Sequence, residues 1–94
     1  MVEVRWTKNA LDDLDDIASY IAKDSAKYAK IFVNRILEMA NHLDQFPKLG
    51  RKVPEYNDPD IREILYKNYR IIYLIKEEWL EIISVFHSSR KLRL

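Results

Sequence analysis

The sequence has no cysteine, one glycine and three prolines in 94 residues. Each scarcity excludes something. Without Cys there is no disulfide framework and no thiolate metal site, which fits a reducing cytoplasm. With so little Gly and Pro, linkers and low-complexity tracts are excluded, and a single domain over residues 1–94 is expected. No apolar run approaches the roughly 20 residues that span a bilayer, so no membrane partner is expected. The segment Met1 to Trp6 is short and mixed, unlike a signal peptide. One glycine does not make a phosphate-binding loop. Asp12, Asp13, Asp15 and Asp16 have no Gly-bearing calcium loop and no His at ligand spacing, so they read as a solvated helix face. Neither metal nor cofactor is expected.

What is present is a foldable core. The chain is 48% hydrophobic, which favours a globule over a disordered tail. The net charge of +1 hides a split. Residues 1–46 hold six Lys/Arg against eight Asp/Glu, and residues 47–94 hold ten against seven. The second half is the side suited to an anionic partner.

Residues 61–90 organise the rest. They are dense in apolar and β-branched residues with no internal Gly or Pro, and read as three consecutive strands. Lys67-Asn68 makes a two-residue hairpin break, with Asn68 as the residue suited to positive φ. Lys76-Glu77-Glu78 makes the second break. With that register Tyr66 pairs with Tyr69, Leu65 with Arg70 and Ile64 with Ile71. One face then carries Ile64, Tyr66, Tyr69, Ile71, Tyr73 and Ile75 as core. The other carries Ile61, Glu63, Leu65, Arg70, Ile72 and Leu74. An Arg among apolar neighbours needs a partner. Two readings stand: a cross-strand pair with Glu63, or a guanidinium presented on an open face to a phosphate or acidic partner.

Ahead of the strands, Val2 to Trp6 alternates as a half-buried strand should. Thr7 is a natural N-cap, followed by a stripe of Ala10, Leu11, Leu14, Ile17, Ala18 and Ile21. Asp24 or Ser25 caps a second helix, with a stripe of Ala29, Phe32, Val33, Ile36, Ala40 and Leu43. The short break between them predicts an antiparallel hairpin. The expected core is Trp6, Leu14, Ile17, Phe32, Ile36, Ile71, Tyr73 and Val85. Residues 46–60 hold the only Gly and all three Pro, and read as a connector or as a basic functional loop with Lys48, Arg51 and Lys52. At the end, His87 has a pKa suited to acid–base work. No third group orients Ser88 or Ser89 as a nucleophile, and a hydrogen-bonding role for His87 is the simpler reading.

The expected fold is therefore α+β: an N-terminal strand, a helix hairpin and a three-stranded antiparallel meander. In that order the chain resembles the RelE/ParE superfamily of toxins from toxin–antitoxin modules. The matching pieces are Trp6-Thr7, Ala10, Asp13-Leu14, Ile17 and Tyr20-Ile21; Phe46-Pro47; Gly50-Arg51 and Val53-Pro54-Glu55; Arg62-Glu63-Ile64; Tyr69 to Tyr73; and Val85-Phe86-His87 with Arg90. The resemblance implies a growth-arresting toxin held by a cognate antitoxin in a hetero-oligomer. It implies one of two targets. ParE-like (plasmid stabilisation) members poison DNA gyrase; RelE-like members cut mRNA on the ribosome without metal. The His87-x-x-Arg90 ending and the helix signature resemble the ParE branch. Arg70 matches the arginine that RelE-like enzymes place at the scissile phosphate, but no Tyr follows Tyr73. For an endonuclease the resemblance implies Arg70, His87 and Arg90 as catalytic residues, with His87 or Glu55 as base, Arg51 beside Arg70 on the phosphate, and Arg90 or Lys52 at the leaving group. For a poison it implies a target surface of Arg51, Lys52, Glu55, Arg62, Arg70, His87, Arg90 and Lys91. A third reading is an inactive relative retained for antitoxin binding.

Overall fold

The computed structural model describes residues 2–90. Strand β1 (Glu3–Trp6) leads into helix α1 (Lys8–Ala22), helix α2 (Ala26–Asn41) and a 3-10 turn, His42–Asp44. The remainder is sheet: β2 (Arg51–Lys52), β3 (Ile61–Tyr66), β4 (Tyr69–Ile75) and β5 (Trp79–His87). Thr7 caps α1 by accepting from the Ala10 N–H at 3.2 Å. Of the two candidate caps for α2 it is Ser25 that acts, accepting from the Tyr28 N–H at 3.0 Å.

The meander is present, as the centre of a larger sheet. Its five strands run in the order β1-β5-β4-β3-β2, with β1 parallel to β5 and the other pairs antiparallel. The short β2 arises inside the segment expected to be irregular, where Arg51 pairs Glu63 and Lys52 pairs Arg62. Two residues carry no readable alternation, so this strand has no sequence signature. The β3–β4 register is the expected one, with Ile64 opposite Ile71 and Leu65 opposite Arg70. The turn differs in one detail. Positive φ falls on Lys67, at 52°, rather than on Asn68.

The helix hairpin covers one sheet face. Leu14, Phe32, Ile36, Ile71, Tyr73 and Val85 are buried there as expected, while Trp6 and Ile17 pack at its margin. Leu11 departs from the stripe and is 47% exposed. The far face is not bare. The loop after β2 folds onto it, and Val53, Ile72 and Phe86 form a second, smaller core there. Tyr73 ties down the segment before β2 from the first core: its hydroxyl donates to the Pro47 carbonyl at 2.7 Å and accepts from the Gly50 N–H at 2.9 Å. Burial pushes its phenol pKa up. Gly50 must be glycine for the same reason, since a Cβ there would lie 2.5 Å from the Glu63 carbonyl oxygen and 2.7 Å from the Tyr73 hydroxyl.

Asp13 also departs from expectation. Its carboxylate is a latch, accepting from the Val85 N–H at 3.0 Å and the Ser84 hydroxyl at 3.2 Å. The β4–β5 register slips between Ile72 and Tyr73, and β1 pairs only as far as Ile82. Past that point the outer edge of β5 is satisfied by α1, including Asn9 donating to the Ile83 carbonyl at 2.9 Å.

Candidate functional site

Strand alternation places Arg51, Glu63 and Arg70 on the loop-covered face, and their charges form a ladder with Glu55. Arg51 Nε donates to Glu63 Oε2 at 2.6 Å, and Arg70 Nε donates to Glu63 Oε1 at 2.6 Å. The two terminal nitrogens of Arg70 then donate to the two oxygens of Glu55, at 2.8 and 2.9 Å. Glu63 is fully buried and Arg70 nearly so, whereas the Glu55 side chain is 44% exposed. The guanidinium also lies over Phe86, 5.3 Å from the ring centroid. The Arg70–Glu63 pair read from the register thus exists, and Glu55 closes the remaining edge of the fork. Both carboxylates push the Arg70 pKa up, the Glu55 hydrogen bonds most strongly.

The same bonds hold the Glu55 carboxyl at about 2, well below its ordinary 4.5. A carboxylate with a lowered folded pKa stabilises above its ordinary pKa, and that stabilisation is lost as pH falls through the folded value. Glu55→Gln should therefore lower the melting temperature at neutral pH. The gap between variant and parent should close between pH 4.5 and pH 2. Thermal melts across that range check it, and a gap that persists unchanged into acid would place the Glu55–Arg70 pair outside the folded state.

The other candidates fall in two places. Arg62 is spent on the loop, its Nε donating to the Pro59 carbonyl at 2.8 Å and its Nη1 to the Gly50 carbonyl at 2.9 Å. Arg51 and Lys52 are exposed on β2. A cleft of about 420 Å³ on the loop-covered face brings Arg51, Glu55 and Arg70 together with Leu65, Lys67, Tyr69 and Ser88. From the sequence Lys67 reads only as part of the hairpin turn and Ser88 only as a hydroxyl without an orienting group, not as site residues. Position in the hairpin turn, three residues before Arg70, was the available signal for Lys67.

His87 and Arg90 line a different cleft, also about 420 Å³, between α1 and the end of β5, with Asp13, Asp16, Ile17 and Tyr20. The His87 ring stacks edge-on against Tyr69 at 5.3 Å, and its Nδ1 is within 2.7 Å of the Ser89 hydroxyl and accepts from the Ser89 N–H at 3.1 Å. The register explains the separation from Arg70. His87 is opposite Tyr69, whose side chain packs against the helix-side core, while Arg70 is opposite Phe86 on the other face. Arg70 and His87 therefore point to opposite sides of the sheet. The structure brings His87 together with Arg90, and Arg70 together with Arg51 and Glu55. Lys91 lies outside the described residues.

A family model described as the ParE toxin of the type II toxin–antitoxin system parDE matches residues 4–92. The chain belongs to the ParE toxin family. It is a toxin of a type II toxin–antitoxin system of ParE/RelE type. Among curated relatives, the toxin RelE2 of Caulobacter vibrioides is 30% identical over 91 residues, which is 96% of this chain and 99% of that one. Among solved structures, the chromosomal ParDE system of P. aeruginosa is similar with a TM-score of 0.76 and 23% identity, covering 93% of this chain and 96% of that one. The RelBE2 toxin–antitoxin complex of Mycobacterium tuberculosis is similar with a TM-score of 0.64 and 21% identity, covering 92% and 96%. These structural likenesses carry the fold: two helices on a mixed five-stranded sheet. No helix among the described residues is long and apolar enough to cross a membrane.

Proposed function

We propose that this toxin arrests growth in the ParE manner, by binding DNA gyrase, and performs no cleavage of its own. The observation that carries the reading is the split of the chemistry-bearing residues across the sheet. In-line attack by a 2′-hydroxyl needs base, phosphate-holding cation and leaving-group acid around one phosphorus. Here the imidazole and the Arg70 guanidinium face opposite sides of the sheet. A binder has no such requirement. Its target surface is the exposed basic set: Arg51 and Lys52 on β2, and Arg90 just past the end of β5.

The partner is a cognate antitoxin. The α1–β5 cleft offers it a groove beside Tyr20, and the hairpin leaves Leu11, Ile31 and Leu37 partly exposed. An extended segment in that groove and an amphipathic helix on the hairpin would cover both. RelE-like cleavage of ribosome-bound mRNA is the second reading, favoured by the relative named RelE2.

Expression of the chain alone should stop growth, and co-expression of the neighbouring antitoxin should restore it. Unimpaired growth at high soluble expression would point to an inactive relative instead.

A further inference from the structure

Glu63 and Glu55 hold Arg70 in unlike ways. Glu63 projects from within β3, and its side chain is fully buried, so it cannot leave without opening the sheet. Glu55 belongs to the turn at residues 54–57, is 44% exposed, and takes the two terminal nitrogens of the guanidinium. That edge of an arginine fits the paired oxygens of a carboxylate or a phosphate. The loop is pinned on either side of the turn. Val53 is buried and its N–H donates to the Ile61 carbonyl at 3.1 Å. On the far side Arg62 holds the Pro59 carbonyl, and the Asp60 carbonyl accepts from the Ile75 N–H at 2.8 Å. The Glu55 side chain can rotate off Arg70 without breaking these ties.

The local charge balance turns on Glu55. With Glu55 in place, Arg51 and Arg70 are balanced by two carboxylates, Glu55 and Glu63. With Glu55 turned out, the same two cations face Glu63 alone, while the Lys67 amine is held on the helix side by the Tyr28 hydroxyl at 2.7 Å. We infer that Glu55 is an internal competitor: in the free toxin its carboxylate occupies the Arg70 fork, and a phosphate group takes that fork when Glu55 turns out to solvent. An external carboxylate would only repeat the contact Glu55 makes, and being untethered it loses to Glu55 on effective concentration. A phosphate brings further oxygens for the neighbouring Arg51 and Ser88. The free chain then binds phosphate weakly in proportion to the fraction of time the fork is open. The inference concerns the isolated chain and does not rest on gyrase being the target.

The test is a titration of the purified full chain with inorganic phosphate and, separately, with a thymidine dinucleoside monophosphate. NMR of the arginine Nε–H resonances is the readout, on the parent and on Glu55→Gln. Glu55→Gln should tighten binding of at least one of the two about tenfold or more, with the largest shift at Arg70. A gain for the dinucleotide alone assigns the site to nucleic-acid backbone, and a gain for phosphate alone assigns it to the free ion; either supports the inference. Arg70→Lys in the Glu55→Gln background should abolish the gain. If that double variant fails to fold, the Arg70 resonance of Glu55→Gln still decides, because shifts confined to Arg90 or Arg51 would overturn the inference. Unchanged affinity for both probes would overturn it, as would an equal gain for acetate, which would reveal a plain carboxylate vacancy.

Discussion

Replacing Glu63 with Ala should cost about 3–5 kcal/mol of folding stability, the range for removing one partner from a buried ion pair. The reason lies in the ladder. Glu63 accepts from Arg51 and Arg70 at 2.6 Å each, and its side chain is fully buried while Arg70 is almost so. Without it, Arg70 keeps Glu55, but its Nε loses its acceptor inside the sheet. The neighbouring Gly50 and Val53 are packed over the same carboxylate's strand, which leaves water little access. Urea unfolding of parent and variant measures the loss. The double variant Glu63→Ala/Arg70→Met should recover part of it, because the orphaned charge is gone and the methionine can pack on Phe86. A loss below about 1 kcal/mol would mean that this face of the sheet is wet.

Ile71→Ala should cost about 2–5 kcal/mol, as for other large-to-small changes in cores. Ile71 is completely buried on β4, flanked by Ile64 on β3 and Val85 on β5, with the helix hairpin above. Sheet backbone on both sides prevents collapse into the space left behind, so the cavity term persists. The same urea measurement checks it. A loss below about 1 kcal/mol would reverse the assignment of faces, and with it the placement of Arg70 and His87 on opposite sides.

The placement of Arg70 was legible in the sequence from one feature, whereas that of His87 was not, because it depends on a β4–β5 register that slips between Ile72 and Tyr73. The two-residue break at Lys67-Asn68 fixes the β3–β4 register, and the register puts Ile71 and Tyr73 in the core and Arg70 opposite them. The helices were legible because three- and four-residue spacing and capping residues are local signals. What was not legible depends on contacts between distant segments. Arg51 and Lys52 are too short a run to announce β2; they become a strand only because β3 is beside them. Asp13 looked solvated because its partners, Val85 and Ser84, lie 72 and 71 residues away. Glu55 was recognised as a site residue, but its bidentate hold on Arg70 depends on how the 53–60 loop folds back across the sheet. The candidate carboxylates Glu55 and Glu63 were visible in the sequence; that both would reach the Arg70 guanidinium was not.

The separation of Arg70 from His87 and Arg90 is the reason for reading this toxin as a binder rather than a nuclease. Purified gyrase, ATP and plasmid DNA, incubated with the purified toxin and then denatured and protease-treated, give the most direct test. Linear DNA should accumulate with toxin concentration, and ribosomes translating a defined mRNA under the same conditions should leave that mRNA whole. Intact plasmid supercoiling together with toxin-dependent cuts in the ribosome-bound mRNA would contradict the account.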